Sequence, residues 1–365
     1  MTVALASCQL SMGQAGPVGA EASYPPGLVT TLAGQAGNAG ASDGTGQAAT
    51  FHSPEGLAID GNTLYVADTL NDLIRKVDLS TGRVSTIAGY PGEAGSADGV
   101  GMAASFNQPG NLALDTANGY LYISDTVNDT VRRLSLADDS VITVAGTAGA
   151  PGSADGSGAA ARFDHPRGIA FDSATTCLYV ADSYNQTIRR IGLSGYAVTT
   201  VAGSAGVPGD VDGVGNAARF HSPWDLALSS GGHLYVADRA NATIRDIAIA
   251  TWSVSTIAGS PGQTGWQDGV EAAARFDDPR GLATDGTDIY VGDSGNDLIR
   301  SITIASGLTS TIAGRAAVSA YADGLGSSAL FSSPFCISTG TDTRNLEPCL
   351  WVADTGDNTI REIIP

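Results

Sequence analysis

Downstream of about residue 29 the chain alternates short apolar–polar runs with clusters of Gly, Asn and Asp, and no long window carries a helical period. The first complete set of runs is Leu57–Asp60, Thr63–Ala67, Leu73–Leu79 and Arg83–Ala88. Period-2 alternation with β-branched and aromatic content predicts four strands there, separated by turns. The set then returns. The string LYVAD at Leu64–Asp68 recurs as Leu121–Asp125, Leu178–Asp182, Leu234–Asp238, Ile289–Asp293 and Leu350–Asp354, in six near-copies of a unit of 55–57 residues. Four antiparallel strands repeated six times predict an all-β fold, a six-bladed β-propeller.

The two ends fit ring closure. The last unit stops after its third strand, at Thr359–Ile364, and its missing fourth strand stands alone at Val29–Gly34. Pairing that N-terminal strand with the last blade leaves no open edge. Residues 29–365 are therefore expected to form the propeller, and residues 1–28 a tail.

Spacing says where differences between blades can lie. Each A-G glycine is followed 17 residues later by Phe, from Gly34–Phe51 to Gly314–Phe331, and each strand-end Asp 7 residues later by Arg. Only the hairpin after the proline varies, from 14 residues (Pro54 to Asp68) to 20 (Pro334 to Asp354). Alternating strands put the Gly-rich loops on one face and this hairpin on the other. No blade carries an enlarged loop on the Gly-rich face, so a site there depends on side-chain differences.

A group present in every blade serves the blade. Asp68, Asn71 and Arg75, with their counterparts, are expected to be structural: the Asp capping the turn that follows, the Arg pairing across strands or with a neighbouring blade. Asp43, Asp98, Asp155, Asp212, Asp268 and Asp323 each open a D-G-x-G string. One Asp per loop is too few oxygens for a calcium loop and reads as a turn docking the Phe. His52 and His221 fall in opposite blades and His165 one residue further along in blade three, so rim or loop packing is expected rather than a histidine metal centre. Asn128-Asp129-Thr130, Asn185-Gln186-Thr187 and Asn241-Ala242-Thr243 match the N-glycosylation pattern, but coincide with a blade motif.

Composition narrows the partners. Lys+Arg 18 against Asp+Glu 37 leaves a net charge of −19, which argues against nucleic acid and anionic membrane surfaces; its simplest meaning is solubility. No run is long enough to span a membrane. Leu5-Ala6-Ser7-Cys8 resembles a lipobox, although the positive segment that should precede it is missing. A lipid on Cys8 would be the one membrane connection, and the expected location is extracytoplasmic. Gly13–Pro26 resembles a linker. Cys336 and Cys349 would stand roughly 13 Å apart along regular strands, beyond disulfide reach, and Cys177 and Cys349 occupy one position in different blades, so free thiols are expected.

The informative positions are those that differ at the start of the innermost strands. Gly56, Gly168 and Gly281 alternate with Asn111, Asp225 and Cys336, and just before them come Glu55, Arg167, Trp224, Arg280 and Phe335. All are expected to ring one mouth of the central channel, where ligands gather. Glu55, Asn111 and Asp225 carry the oxygens a hard cation such as calcium would choose.

The run PEGLAIDGNTLYVADTLNDLIRKVDL, Pro54–Leu79, resembles an NHL repeat, as do the other five copies, over about nine-tenths of the chain. The resemblance implies an interaction platform. A minority of that family are enzymes, notably the peptidyl-hydroxyglycine amidating lyase, whose zinc histidines follow the proline of P-H-x-L. Here Glu55, Gly110, Arg167, Trp224, Arg280 and Phe335 follow the prolines, so the lyase reading fails at its key position. The RNA-binding branch docks through a basic surface, which this acidic chain does not offer. Gluconolactonase- and paraoxonase-like propellers hold a central calcium, a parallel of fold alone.

Two readings follow. The favoured one is an extracytoplasmic binding or scaffolding propeller, needing no cofactor, that docks a protein, peptide or glycan at the mouth and loops. Its contacts are Glu55, Asn111, Arg167, Asp225, Arg280 and Phe335, with Tyr184, Trp224 and Trp266 as aromatic anchors. The alternative is a hydrolase or lactonase with a divalent ion, such as Ca2+, on Glu55, Asn111 and Asp225. No convincing base or nucleophile accompanies it, since Cys336 has no histidine in its blade.

Overall fold

The computed structural model describes residues 25–365; the Leu5–Cys8 string lies outside them. Six antiparallel sheets stand around an axis. Their innermost strands begin at Pro54, Pro109, Pro166, Pro223, Pro279 and Pro334, and each packs against the next, the sixth against the first. The ring closes as the sequence implies. Leu28–Gly34 lies antiparallel to Thr359–Ile363, with Val29 opposite Ile363 and Gly34 opposite Thr359. The fold is a six-bladed β-propeller, its sixth blade completed by the N-terminal strand.

Each blade has five strands rather than the expected four. The fifth is two residues long and lies on the outer edge, as in Gly44–Thr45 against Val84 and Arg83. The Gly-rich segments therefore do not stay on one face. Each passes along the blade's outer edge, supplies this strand and a short 3-10 turn, and returns to the inner strand.

Blades are sandwiched between neighbours, which explains why L-Y-V-A reads as a nearly unbroken apolar run: Leu64, Tyr65, Val66 and Ala67 are all buried. The core lies between blades. Leu57, Leu64 and Val66 of the first blade, for example, pack against Trp351, Ala353 and Ile360 of the sixth. Burying such side chains stabilises by roughly 1.5–3 kcal/mol each.

Inside every blade one polar unit repeats. Arg75 gives Nη1 to Asp68 (2.6 Å) and Nη2 to Asp43 (2.9 Å), and its guanidinium lies over Phe51, 5.3 Å from the ring centre. Arg132, Arg189, Arg245, Arg300 and Arg361 repeat the arrangement. The Arg thus stays within its own blade. Asp68 does not cap the turn after it. Its Oδ1 accepts the His52 N–H and its Oδ2 accepts from Asn71 and Arg75, tying the incoming inner strand to the second and third. Asp43 also accepts from Thr86, so the D-G turn is pinned to the fourth strand.

Cys177, Cys336 and Cys349 are free and buried. Cys349 stands opposite Gly340, four residues along the strand from Cys336. The sequon asparagines are buried, and the amide nitrogens of Asn128, Asn185 and Asn241 donate to the backbone of Gly95, Gly152 and Gly209.

Candidate functional site: the channel mouth

The inner strands start so close to the axis that neighbours cannot both carry a side chain there. A Cβ on Gly56 would lie 2.6 Å from the Asn111 Cα, one on Gly168 2.5 Å from the Asp225 Cα, and one on Gly281 2.7 Å from the Cys336 Cα. The alternation seen in the sequence is a packing rule: each glycine makes room for the next blade's Asn, Asp or Cys.

Those three side chains meet on the axis and plug it. Asn111 Nδ2 donates to Asp225 Oδ1 (2.6 Å), and the Cys336 thiol lies 3.7 Å from Asn111 Oδ1. Asp225 also accepts the Leu226 N–H (2.7 Å) and the Leu282 N–H (2.9 Å). Burial without a facing cation pushes its carboxyl up to about 7, although the three hydrogen bonds pull the other way. Burial likewise drives the Cys336 thiol far up, with Asp225 adding to it.

Above the plug lies a second layer, Glu55, Arg167, Trp224, Arg280 and Phe335. Arg167 Nη1 reaches across the ring to Glu55 Oε2 at 3.1 Å. Burial raises the Glu55 carboxyl, opposed by Arg167 and Arg280. Burial lowers Arg167, opposed by Glu55. Trp224 is the centre of the layer. The guanidinium carbons of Arg167, Arg239 and Arg280 lie 3.9, 4.5 and 5.0 Å from its ring centre, and Arg280 also lies 4.1 Å from that of Phe335. Phe335 meets Trp224 edge-on, centroids 6.3 Å apart. Cation–π contacts of this kind fix guanidinium planes against a rigid floor.

The geometry separates the three oxygen-bearing residues singled out for a cation. Asn111 and Asp225 bond to each other in the plug, and Glu55 sits above them, paired to Arg167. The three His, Cys, Asp or Glu side chains whose ligand atoms do lie close together among the described residues are Asp129, Asp164 and His165, at the seam between the second and third blades. There His165 Nδ1 is 2.9 Å from Asp164 and its ring stacks on Tyr184, centroids 4.1 Å apart. Tyr184 is thus an exposed neighbour of the mouth rather than part of its lining, and Trp266, 57 % exposed in the Gly-rich segment of the fifth blade, does not line it either.

Arg239 and Asp278 were not among the residues expected here. They come from one irregular blade seam. At the five other seams a hydroxyl just after the strand-end Asp donates to the next blade's proline carbonyl: Thr69 to Pro109, Thr126 to Pro166, Ser183 to Pro223, Ser294 to Pro334 and Thr355 to Pro54. Three residues on, a left-handed Asp72, Asp129, Gln186, Asp297 or Asn358 accepts the N–H of the residue before that proline. Between blades four and five both staples are gone. Arg239 replaces the hydroxyl residue and Ala242 the acceptor, and Arg239 instead pairs with Asp278 and lies against Trp224.

Comparison with known proteins agrees with this architecture. The family model for the NHL repeat matches residues 220–245, which hold Trp224 and Arg239. The chain is an NHL-repeat propeller. It is 30% identical over 293 residues to SUPPRESSOR OF QUENCHING 1, chloroplastic, of Arabidopsis thaliana, a match covering 76% of this chain and 28% of that protein. It is 29% identical over 308 residues to human NHL repeat-containing protein 2, covering 75% of this chain and 42% of that one. The matched region spans 28% and 42% of the length of these relatives. Among solved structures, an auxiliary nutrient binding protein from Bacteroides thetaiotaomicron superposes with a TM-score of 0.69 at 18% identity, over 92% of this chain and 76% of that one, a likeness of fold.

Proposed function

We propose that this NHL propeller is a binding module that takes a peptide or small ligand at the channel mouth, with Arg167, Trp224, Arg239, Arg280 and Phe335 as contacts. The observation that carries the reading is the Trp224 cluster: three guanidinium groups and a second aromatic ring converge on one half-buried indole at the centre of a face otherwise built by repetition. Aromatic and arginine anchors of this kind dominate recognition sites. Guanidinium groups pack against Trp224, which favours a ligand with polar ends over a sugar ring needing a free aromatic face. A neighbour in fold named as nutrient-binding accords with the reading. An extracytoplasmic location, argued from Leu5–Cys8, belongs to the same proposal.

The metal-dependent hydrolase is the weaker reading. Asp225 spends its oxygens on Asn111, Leu226 and Leu282, and Glu55 on Arg167.

Selection of a random peptide library on the immobilised propeller tests the proposal. Peptides enriched by the native protein should lose at least tenfold in affinity on Trp224→Ala and keep it on Trp266→Ala. Equal retention by native protein and Trp224→Ala would overturn the reading.

A further inference from the structure

We propose that the mouth recognises a carboxylate: a singly charged carboxylate group of the ligand is held by Arg239 and Arg280 across the seam between blades four and five, with Arg167 closing the third side. This rests on the mouth being the binding site and adds the chemistry of what enters it.

Three observations converge. First, the chain has one lysine and seventeen arginines in a net charge of −19. Six arginines are locked inside the blades, yet three more gather on Trp224. Second, these three keep donors in reserve. Arg239 uses Nε on Asp278, and its two terminal nitrogens have no acceptor among the described residues. Arg280 spends Nε and Nη2 on a single oxygen, Asp278 Oδ2, at 2.8 and 2.6 Å. Arg167 spends Nη1 on Glu55, and its Nη2 has no acceptor among the described residues. A guanidinium fork fits the two oxygens of a carboxylate.

Third, charge selects a monoanion. Three guanidinium groups face two carboxylates, Glu55 and Asp278, in this layer. The excess is one positive charge when Asp225 beneath is protonated. A phosphate dianion would overcompensate that excess; a carboxylate balances it.

Asp278 acts as a placeholder. It spans Arg239 and Arg280 with one oxygen each, as an incoming carboxylate would. The irregular seam is the reason this exists: a Thr and an Asn there would staple the blades and take Arg239 out of the mouth, leaving Arg280 without its partner across the seam.

The test uses the whole propeller and three small probes, propionate, propionamide and methyl phosphate, titrated at neutral pH and followed by NMR of the Trp224 indole N–H. Propionate should saturate with a Kd at least tenfold below that of propionamide, and methyl phosphate should bind no more tightly than propionate. The double variant Arg239→Thr/Ala242→Asn carries residues found at regular seams, so it is expected to fold with an unchanged or higher Tm. It should lose at least tenfold in propionate affinity, and Asp278→Asn should gain several-fold. Equal binding of propionate and propionamide, or undiminished propionate binding by the folded double variant, would overturn the inference. If library-selected peptides need Trp224 but bind the double variant as well as the native protein, the mouth remains the binding site and the carboxylate inference alone falls.

Discussion

The seam between blades two and three and that between blades four and five hold equivalent places in the ring and are built for different ends. At the first, Thr126 donates to the Pro166 carbonyl and Asp129 accepts the His165 N–H. Both bonds join blade to blade and spend their polar groups on the frame. At the second, Arg239 and Ala242 make neither bond, and the arginine turns to Trp224 and Asp278. Binding capacity appears where a staple has been given up, because a polar group already satisfied by the fold has little left to offer a ligand.

The largest test of this contrast compares arginines. Arg132→Ala strands the buried Asp125 and removes bonds to Ser105, Ala97 and Asp98. It should lower the unfolding free energy by about 3–5 kcal/mol, the cost of breaking a buried pair. Arg239→Ala, at a part-exposed pair, should cost less than about 1 kcal/mol. Urea midpoints at constant m decide it, and equal losses would erase the distinction between frame and site.

A smaller effect concerns pH. The Asp225 carboxyl is pushed up to about 7 when folded, against about 3.9 in an unfolded chain. Folding then favours the protonated form, so this group's stabilisation is full below pH 4 and is lost as pH rises through 7. Asp225→Asn removes that slope. Between pH 4 and pH 8 the variant should gain roughly 2–4 kcal/mol relative to the native protein, over any constant offset. A pH-independent difference would show that Asp225 ionises as an ordinary carboxylate.

The smallest effect is at Ala242, held at φ +56° without a side-chain acceptor. An Ala there costs roughly 1–2 kcal/mol over a right-handed conformation. Ala242→Asn should raise stability by about 1 kcal/mol, whereas Asp129→Ala at the regular seam should lower it by a similar amount. Thermal denaturation of the two checks the opposite signs.

Much of this was legible in the sequence. Repeat count, ring closure and the mouth positions follow from phase alone, because a six-fold array leaves few places where copies disagree. The fifth strand was not legible, since two residues such as Gly44–Thr45 carry no alternation to detect. Tyr184, Trp224 and Trp266 read alike in the sequence, as aromatic anchors; the structure separates rim from lining. Asn111, Asp225 and Glu55 read as one oxygen set, but they occupy two layers; the one-residue offset that aligns Glu55 with Gly110 and Trp224 is present in the sequence, and the structure gives it its meaning as depth. Arg239 left a signal in plain view. It stands where Thr69, Thr126, Ser183, Ser294 and Thr355 stand in the other copies, and Ala242 breaks the pattern three residues later.

The clasp between the first and last strands sets a timetable for synthesis. Val29 meets Ile363, so Leu28–Gly34 is made before the first blade and has no docking site until Thr359–Ile363 has left the ribosome. At ~5–20 residues per second that wait is on the order of half a minute. Throughout it the nascent molecule exposes the flank of its first blade and a strand able to pair with other chains. Assembly of this ring is thus vulnerable until its sixth blade is complete.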